Sequence, residues 1–402
     1  MARFTLPRDL YHGKGALEAL KTLEGKRAIV VVGGGSMKRF GFLDKVCDYL
    51  KEAGMEVCLF EGVEADPSVE TVMKGAEKMR EFQPDWIVSV GGGSPIDAAK
   101  AMWAFYEYPD TTFEQLCIPF NFPKLRTKAK FCAIPSTSGT ATEVTAFSVI
   151  TDYQKGIKYP LADYELLPNM AIIDADNMMT QPKGLTSASG IDALTHALEA
   201  YASIMATDYT DGLALKAMKN IFTYLPAAYD KGANDPYARE KMADASCMAG
   251  MAFANAFLGV CHSMAHKLGA YHHLPHGVAN ALLICHVMRF NAAEVPAKMG
   301  TFSQYQYPHT LERYAECAHF CGVCGKDDAE TLELFIQKIE QLKEAVGIKK
   351  TIKDYGVDEK YFLETLDQMV EDAFDDQCTG CNPRYPLLSE IKEMYLKAYY
   401  GE

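Results

Sequence analysis

Residues 85–100, DWIVSVGGGSPIDAAK, contain a short apolar run, three successive glycines and the start of a helical pattern. A short run of apolar and β-branched residues is typical of a strand buried on both faces of a parallel sheet. Ser94 and Pro95 can open the helix, because proline suits the first helical turn. A strand, a glycine loop and a helix in this order predict a parallel βαβ unit.

The same order of strand and helix repeats through the first half of the chain. Predicted strands lie at 27–32, 57–60, 85–90, 129–135 and 170–174, and predicted helices at 42–53, 67–82 and 95–106. Beyond about residue 182 helical patterns dominate, as at 357–374 and 387–400, and strand signals vanish. The sequence therefore predicts an α/β fold with a Rossmann-like parallel-sheet domain at 1–183 and an all-α domain at 184–402.

Composition excludes several classes of partner. The chain has 402 residues, 49% of them hydrophobic and 23% charged, and a formal net charge of −13. An acidic protein without a Lys/Arg-rich run is not attracted to nucleic acid or to an anionic membrane. No window approaches a membrane span, and the N-terminal residues lack the apolar stretch of a signal peptide. A cytoplasmic location is therefore expected.

Twelve cysteines in a chain of this length, without a secretory signal, are expected to be reduced thiols. Two pairs, Cys321/Cys324 and Cys378/Cys381, have the spacing of zinc ligands, so a zinc site of four cysteines is an alternative hypothesis. Helix-patterned sequence fills the long gap between the pairs, and this disfavours the alternative.

Two loops that follow predicted strands have the composition of a phosphate-binding site. The glycines at 91–93 let the backbone approach a ligand closely, and the free N–H groups of the following helix attract an anion. Residues 135–145, PSTSGTATEVT, supply many hydroxyls that can bond phosphate or sugar. The alternatives are a tight turn and a polar surface loop. Since a tight turn needs only one glycine, the phosphate-binding interpretation is favoured.

A third loop bears on the choice of nicotinamide cofactor. Residues 33–36, GGGS, end the strand at 27–32 and are followed by Lys38 and Arg39. An acidic residue at such a strand end pairs with the ribose 2′-hydroxyl of NAD, whereas a basic neighbourhood accommodates the 2′-phosphate of NADP. This segment has two cations and no carboxylate, so it favours NADP and gives 1–183 a dinucleotide-binding role. The candidate contacts are Gly33, Gly34, Ser36 and Lys38.

Histidines are concentrated in one segment of the second half. Residues 259–277, GVCHSMAHKLGAYHHLPHG, place His262 and His266 four residues apart and His276 ten residues later. Side chains four residues apart share one helix face, so their imidazoles can converge on one ion. Imidazole is the commonest metal ligand in proteins. A helix that packs its histidines against backbone partners is the alternative.

A second segment strengthens the metal interpretation. Residues 190–201, GIDALTHALEAY, predict an apolar helix that begins near Ser189 and Gly190. Its polar exceptions fall on one side: Asp192, Thr195, His196 and Glu199. A buried aspartate needs a cation or hydrogen-bond donors. One carboxylate and three imidazoles suit Fe²⁺ or Zn²⁺ better than Ca²⁺ or Mg²⁺, and the candidate ligands are Asp192, His196, His262 and His276.

In these motifs and in their order the chain resembles the iron-dependent (group III) alcohol dehydrogenase family. The motifs are GGGSPIDAAK, PSTSGTATEVT, GIDALTHALEAY and GVCHSMAHKLGAYHHLPHGVAN, and the resemblance spans nearly the whole sequence. From about residue 85 onward the chain looks like the alcohol dehydrogenase half of bifunctional aldehyde–alcohol dehydrogenases. Its start looks more like NADPH-dependent butanol dehydrogenases. The resemblance implies a dehydroquinate synthase-like plan, with the helical domain holding metal and substrate.

The resemblance also implies roles for individual residues. The implied metal ligands are Asp192, His196, His262 and His276. The implied cofactor contacts are Gly92, Gly93, Ser94 and Asp97, assisted by Thr137, Ser138 and Thr140, with Lys158 near the nicotinamide ribose. His266 matches a histidine that is not a ligand, and its predicted catalytic role is to relay the alcohol proton. Many members carry aspartate in place of Gly33, so their preference for NAD is not expected here.

The expected reaction is reversible hydride transfer between NAD(P)H and short-to-medium primary aldehydes, with products such as butanol or ethanol. Fe²⁺ is the expected metal, with Zn²⁺ as the alternative, and NADP(H) is favoured over NAD(H). The expected partners are the small-molecule substrate and further copies of the chain in a homodimer or higher homo-oligomer. The alternative functions are a glycerol- or polyol-dehydrogenase-like enzyme of the same superfamily and a zinc-binding protein without catalysis.

Overall fold

The computed structural model describes residues 3–293 and 309–401. The chain divides into two compact units, Met1–Gln181 and Pro182–Glu402. Among the described residues, every strand lies in the first unit, and the second contains helices and turns. The predicted combination of a parallel-sheet domain with a helical domain is confirmed.

The N-terminal unit contains eight strands within the described residues. They are β1 (Asp9–His12), β2 (Arg27–Val32), β3 (Glu56–Phe60), β4 (Trp86–Gly91), β5 (Lys130–Pro135), β6 (Phe147–Asp152), β7 (Ile157–Ala162) and β8 (Met170–Ile173). Six of them form one sheet in the order β1-β8-β5-β4-β2-β3 with parallel pairings throughout, while β6 and β7 form a separate antiparallel hairpin. The helices of this unit are α1 (Ser36–Arg39), α2 (Phe42–Glu52), α3 (Val69–Phe82), α4 (Gly93–Glu107) and α5 (Phe113–Leu116).

All five strands predicted from apolar runs are present. The strands that lack such runs, β1, β6 and β7, were not predicted. β2, β4, β5 and β8 are buried along nearly their whole length, as strands covered by helices on both faces must be. β1 is largely exposed at the edge of the sheet. β6 and β7 mix buried and exposed positions, and β7 contains Pro160. A proline within a run argues against a strand when only the sequence is considered.

The sheet topology brings three loops to one edge. β2, β4 and β5 are neighbours, with Val32 opposite Val90 and Gly91 opposite Pro135. The loops that begin at residues 33, 92 and 136 therefore leave the carboxyl ends of adjacent parallel strands. In open α/β sheets this is the edge at which ligands bind.

The helical unit consists, within its described residues, of nine α-helices and short 3₁₀ turns. The helices are α6 (Lys183–Ala202), α7 (Asp208–Lys231), α8 (Pro236–Ala256), α9 (Val260–His272), α10 (His276–Ala292), α11 (Thr310–Phe320), α12 (Asp328–Ala345), α13 (Glu359–Phe374) and α14 (Leu388–Tyr400). Within the described chain no single helix is long and apolar enough to cross a membrane. Only α8 and α9 together, bent by 107°, pass that test by length and composition.

The predicted start of α6 was wrong. The helix begins at Lys183 after Pro182, six residues before the predicted start at Ser189, so Asp192 lies in its interior. The Ser189 hydroxyl donates to the Leu185 carbonyl at 2.6 Å, as a serine inside a helix does, and so does not cap an N-terminus. From Thr186 to Ala202 every residue of α6 is buried, which gives its polar side chains a dry environment.

Candidate metal centre and cofactor-binding loops

Three helices of the C-terminal unit bring one carboxylate and three imidazoles together. Asp192 and His196 lie one turn apart on α6, His262 lies in the first turn of α9, and His276 is the first residue of α10. One ligand atom from each lies within 4.8 Å of the others. The four residues predicted as metal ligands therefore converge, although 84 positions separate the first from the last in sequence.

Burial and mutual proximity set the protonation of this cluster. Burial lowers the pKa of His262 well below its ordinary value, and the neighbouring imidazoles lower it further. Burial by itself raises the pKa of Asp192, but the three imidazoles and an amide N–H outweigh it and hold that pKa below its ordinary value. A neutral imidazole and an ionised carboxylate are the forms that bind a divalent cation.

Asn280 also lies in the cluster, although it was not among the site residues predicted from the sequence. Its side-chain Nδ2 lies 2.7 Å from Asp192 Oδ1, 3.1 Å from His262 Nε2 and 3.3 Å from His276 Nε2. One amide thus contacts three of the four candidate ligands. The available signal was its position one turn after His276 on the same helix face.

Gly277 permits the close approach of α10 to α6 that places His276. A Cβ at this position would lie 2.1 Å from the Ala188 carbonyl oxygen and 3.2 Å from Asp192 Cβ. Any side chain here would therefore collide with the backbone of α6. His276, a candidate ligand, is therefore followed directly by the glycine that allows α10 to pack against α6.

His266 lies beside the cluster but is not one of the four. Its ring stacks on that of His276 with centroids 5.5 Å apart, and its Nδ1 lies 3.0 Å from Asp376 Oδ2. The Lys267 ammonium donates to the same oxygen at 3.0 Å. Burial alone raises the pKa of Asp376, but His266 and Lys267 hold it well below its ordinary value.

His266, Asp376 and Cys378 form a second group whose ligand atoms lie within 4.8 Å of one another. The Lys267 ammonium on Asp376 opposes a further cation at that place. The candidate ligand groups in the described part of the chain include neither Cys321 nor Cys324. The alternative of a four-cysteine zinc site therefore gains no support from the structure.

The predicted phosphate-binding residues of the N-terminal unit are brought together. Gly92 and Gly93 lead into α4, with Ser94 in its first turn. A Cβ at Gly93 would lie 3.1 Å from Thr140 Oγ1, and one at Gly92 would lie 3.6 Å from Thr137 Cγ2. The glycine loop and the hydroxyl-rich loop therefore pack against each other at the start of a helix.

Two further predicted residues, Ser138 of the hydroxyl-rich loop and Asp97 of α4, form hydrogen bonds within the N-terminal unit. Ser138 is buried, its N–H donating to Gln181 Oε1 at 3.3 Å and its hydroxyl contacting Met178 Sδ at 3.2 Å. The Asp97 carbonyl accepts a hydrogen bond from the Ser148 hydroxyl at 2.8 Å.

A buried lysine behind the hydroxyl-rich loop was not assigned a role from sequence. Lys100 Nζ donates to the carbonyls of Thr142, Thr145 and Phe147 at 2.7, 2.7 and 2.9 Å. Three carbonyls match the three donors of an ammonium group. Burial lowers the pKa of Lys100, and the Asp97 and Glu143 carboxylates oppose that shift. A lysine within the apolar stretch 98–106 of α4 was the available signal.

The outer predicted cofactor contacts are exposed and paired. Lys38 Nζ lies 3.1 Å from Glu61 Oε1, and Lys158 Nζ lies 2.7 Å from Asp66 Oδ1. Glu61 follows the last residue of β3, so a carboxylate does lie near the GGGS loop, contrary to the expectation from the local sequence. Ser36 and Lys38 lie on α1. A Cβ at Gly34 would meet no atom within 4 Å.

Two family models match the chain. One, described as iron-containing alcohol dehydrogenase, covers residues 7–175, and the other, the C-terminal part of the Fe-containing alcohol dehydrogenase family, covers residues 186–399. The chain belongs to the iron-containing alcohol dehydrogenase family. The resemblance predicted from the motifs is thereby confirmed.

Two members of the family are similar in sequence to this chain. The chain is 53% identical over 401 residues to an NADPH-dependent butanol dehydrogenase of Clostridium saccharobutylicum, which covers 100% of this chain and 99% of that protein. It is 50% identical over 414 residues to the bifunctional aldehyde-alcohol dehydrogenase AdhE of Escherichia coli (strain K12), covering 98% of this chain and 46% of that protein. The chain therefore spans about half the length of the bifunctional relative.

Solved structures of the family agree with the fold. A 1,3-propanediol oxidoreductase superposes with a TM-score of 0.89 at 35% identity, covering 99% of this chain and 100% of that one. An iron-containing alcohol dehydrogenase from Thermococcus thioreducens superposes with a TM-score of 0.88 at 37% identity, covering 100% of both chains.

Proposed function

We propose that this chain is a metal-dependent alcohol dehydrogenase that transfers hydride reversibly between NADPH and a short-to-medium primary aldehyde. The observation that carries the proposal is the convergence of one aspartate and three histidines, with ligand atoms within 4.8 Å of one another. Membership of the iron-containing alcohol dehydrogenase family supports the same activity.

The donor set fits a divalent iron ion. A carboxylate oxygen with three imidazole nitrogens suits Fe²⁺ or Zn²⁺, and we propose Asp192, His196, His262 and His276 as the ligands. When bound, such an ion polarises the substrate carbonyl and stabilises the charge that develops on its oxygen. His276 is the most exposed of the four, with 40% of its side chain accessible, so we propose that the substrate approaches on its side.

His266 is proposed to move the proton. Its side chain is 32% exposed and stacks on His276, so it lies between the buried cluster and solvent. Asp376 holds its Nδ1, which leaves Nε2 as the nitrogen that exchanges a proton with the alcohol. A histidine in this position can act as a general acid–base catalyst.

The loops at the carboxyl edge of the sheet are proposed to bind the cofactor. The N–H groups at the start of α4 attract its phosphates, because a helix N-terminus carries partial positive charge. The proposed contacts to phosphate and ribose are Gly92, Gly93, Ser94, Asp97, Thr137, Ser138, Thr140 and Lys158. The proposed contacts to the 2′-phosphate of NADPH are Gly33, Gly34, Ser36 and Lys38, and the NADPH-dependent relative supports that choice.

The direct test is an anaerobic preparation of the full chain, analysed for iron and zinc and assayed with NADPH and NADH. Butyraldehyde, acetaldehyde and glycerol serve as substrates. We expect bound iron and NADPH-dependent reduction of butyraldehyde. Turnover of glycerol without butyraldehyde would favour the polyol alternative, and bound metal without turnover would favour the non-catalytic one. A preference for NADH of tenfold or more, about 1.4 kcal/mol, would contradict the assignment of the 33–36 loop.

The predicted homodimer or higher homo-oligomer remains a prediction. Light scattering of the same preparation measures the mass of the particle and tests it directly.

A further inference from the structure

Glu199 is a buried carboxylate beside the cluster. It lies two turns after Asp192 on α6 and is 3% exposed. Its Oε2 lies 2.5 Å from His262 Nδ1, and its Oε1 accepts the backbone N–H of Cys261 at 2.8 Å. We propose that Glu199 is a positioning residue that fixes the tautomer and ring orientation of His262 for metal binding. This inference rests on the proposed role of the cluster as a metal site.

The surrounding hydrogen bonds determine which nitrogen of His262 carries its proton. The Asp192 carboxylate only accepts, so the Asn280 amide must turn its NH₂ group toward it. That NH₂ group also lies 3.1 Å from His262 Nε2 and 3.3 Å from His276 Nε2. A proton on His262 Nε2 would place two donors face to face at 3.1 Å, so this contact favours the ring with Nε2 unprotonated. The proton of the neutral ring then lies on Nδ1, where the Glu199 oxygen accepts it. His262 Nε2, the nitrogen with the lone pair, lies 3.8 Å from Asp192 Oδ1.

The chain makes room for this carboxylate at the start of α9. A Cβ at Gly259 would lie 2.7 Å from Asn382 Oδ1 and 2.8 Å from Glu199 Oε1, so a side chain there would displace both the amide and the carboxylate. Gly259 is in an extended conformation that any residue adopts, and the requirement for glycine is therefore steric. One carboxylate bonds the backbone at the start of α9 and the imidazole of its first turn at the same time.

A histidine that binds a metal usually donates its other ring N–H to a carboxylate or carbonyl, which fixes its orientation. Removing such an outer partner typically lowers metal affinity by about 10–100-fold. Glu199→Gln keeps the shape of the side chain but leaves one oxygen for two N–H donors. We expect the affinity for Fe²⁺ to fall within that range.

The matched control is Asn382→Ala. Asn382 Oδ1 accepts the N–H of Val260 at 3.2 Å, so it supports the same helix start without touching His262. The full-length chain, loaded anaerobically with Fe²⁺, is titrated with a bipyridine chelator, and thermal unfolding is recorded for each variant. The inference predicts weaker iron retention in Glu199→Gln than in Asn382→Ala, even where Asn382→Ala unfolds at a lower temperature. Equal iron affinity in the two variants would overturn it.

Gly259→Ala provides a second route to the same result, because it displaces the carboxylate without removing it. Since its Cβ also collides with Asn382 Oδ1, its iron retention is compared with that of Asn382→Ala. Iron retention that falls in both Glu199→Gln and Gly259→Ala supports the inference, and retention unchanged in Gly259→Ala contradicts it. Selective ¹⁵N-histidine labelling adds a readout that needs no turnover. In the metal-free chain His262 Nε2 should resonate as an unprotonated nitrogen, and in Glu199→Gln this signal should shift. If the unsubstituted chain itself binds no iron, the proposed function fails rather than this inference.

Discussion

The two candidate sites are built from different parts of the chain. The histidine cluster of the C-terminal unit consists of side chains from three helices, oriented by further buried side chains such as Asn280 and Glu199. The loops of the N-terminal unit combine the backbone of glycines with the hydroxyls of residues 135–145, and a buried lysine, Lys100, holds the carbonyls behind them. A site made of converging side chains depends on each of its members. The part of a site that is glycine backbone changes only when the backbone is forced to move.

The largest effect is expected for a ligand of the cluster. In His262→Ala the affinity for iron should fall by more than the roughly 100-fold that is the upper end of the range when only an orienting residue is removed. His266→Ala removes the next histidine on the same helix face and should retain iron while turnover falls. Metal analysis after anaerobic purification measures both variants. Full retention of iron by His262→Ala would remove the cluster as the metal site.

A pair of glycine substitutions compares the two sites through packing. Gly277→Ala forces a Cβ to within 2.1 Å of a backbone oxygen of α6, so α10 must shift and carry His276 with it. We expect a loss of about 1–3 kcal/mol in the free energy of unfolding, together with weaker iron binding. Gly34→Ala meets no atom within 4 Å and should leave stability unchanged. Denaturant unfolding of both variants checks this, and equal losses would contradict the difference between the sites.

The features that the sequence predicted are those with a local pattern. The β2, β4 and β5 strands follow from apolar runs, and the candidate ligand set follows from Asp192/His196 and the histidines at 262 and 276 in recognisable motifs. The start of α6 was mispredicted because Ser189 looks like a cap when only its neighbours in sequence are considered. In the structure its hydroxyl bonds within the helix.

The supporting residues could not be predicted in this way, because their partners are distant in sequence. Lys100 bonds carbonyls more than 40 positions away, and Glu199 bonds a ring 63 positions away. Glu61 lies 23 positions after Lys38, so the residues next to the GGGS loop do not reveal this carboxylate. Each of these contacts depends on how strands and helices pack, and local patterns in one sequence do not specify that packing.

The orientation of His266 should affect turnover but not metal binding. Asp376→Asn leaves His266 in place but replaces the anion that holds its Nδ1 with a neutral amide. We expect kcat to fall about tenfold, a part of the ~10²–10⁴-fold that general acid–base catalysis contributes. Iron content should stay at the level of the unsubstituted chain. Asp372→Asn is the matched control, because Asp372 lies in the last turn of α13, four residues before Asp376, and accepts the hydroxyl of Tyr271 on α9 at 2.7 Å without bonding His266. Loss of iron in Asp376→Asn would place this carboxylate with the cluster instead.

The smallest effect is expected at the exposed edge of the N-terminal loops, where Lys38 and Glu61 form an ion pair at 3.1 Å. An NADPH 2′-phosphate would compete with Glu61 for the Lys38 ammonium. Lys38→Ala should therefore lower kcat/KM for NADPH about fivefold, as is typical of an exposed pair, and leave that for NADH unchanged. Glu61→Gln should act in the opposite direction, raising kcat/KM for NADPH up to about twofold because Lys38 loses its competing partner. Lys51→Ala breaks another exposed pair, with Asp48, and should change neither value. An equal fall for both cofactors in Lys38→Ala would mean that this lysine supports the loop rather than the phosphate, and the preference for NADPH would then have to come from the backbone of residues 33–36.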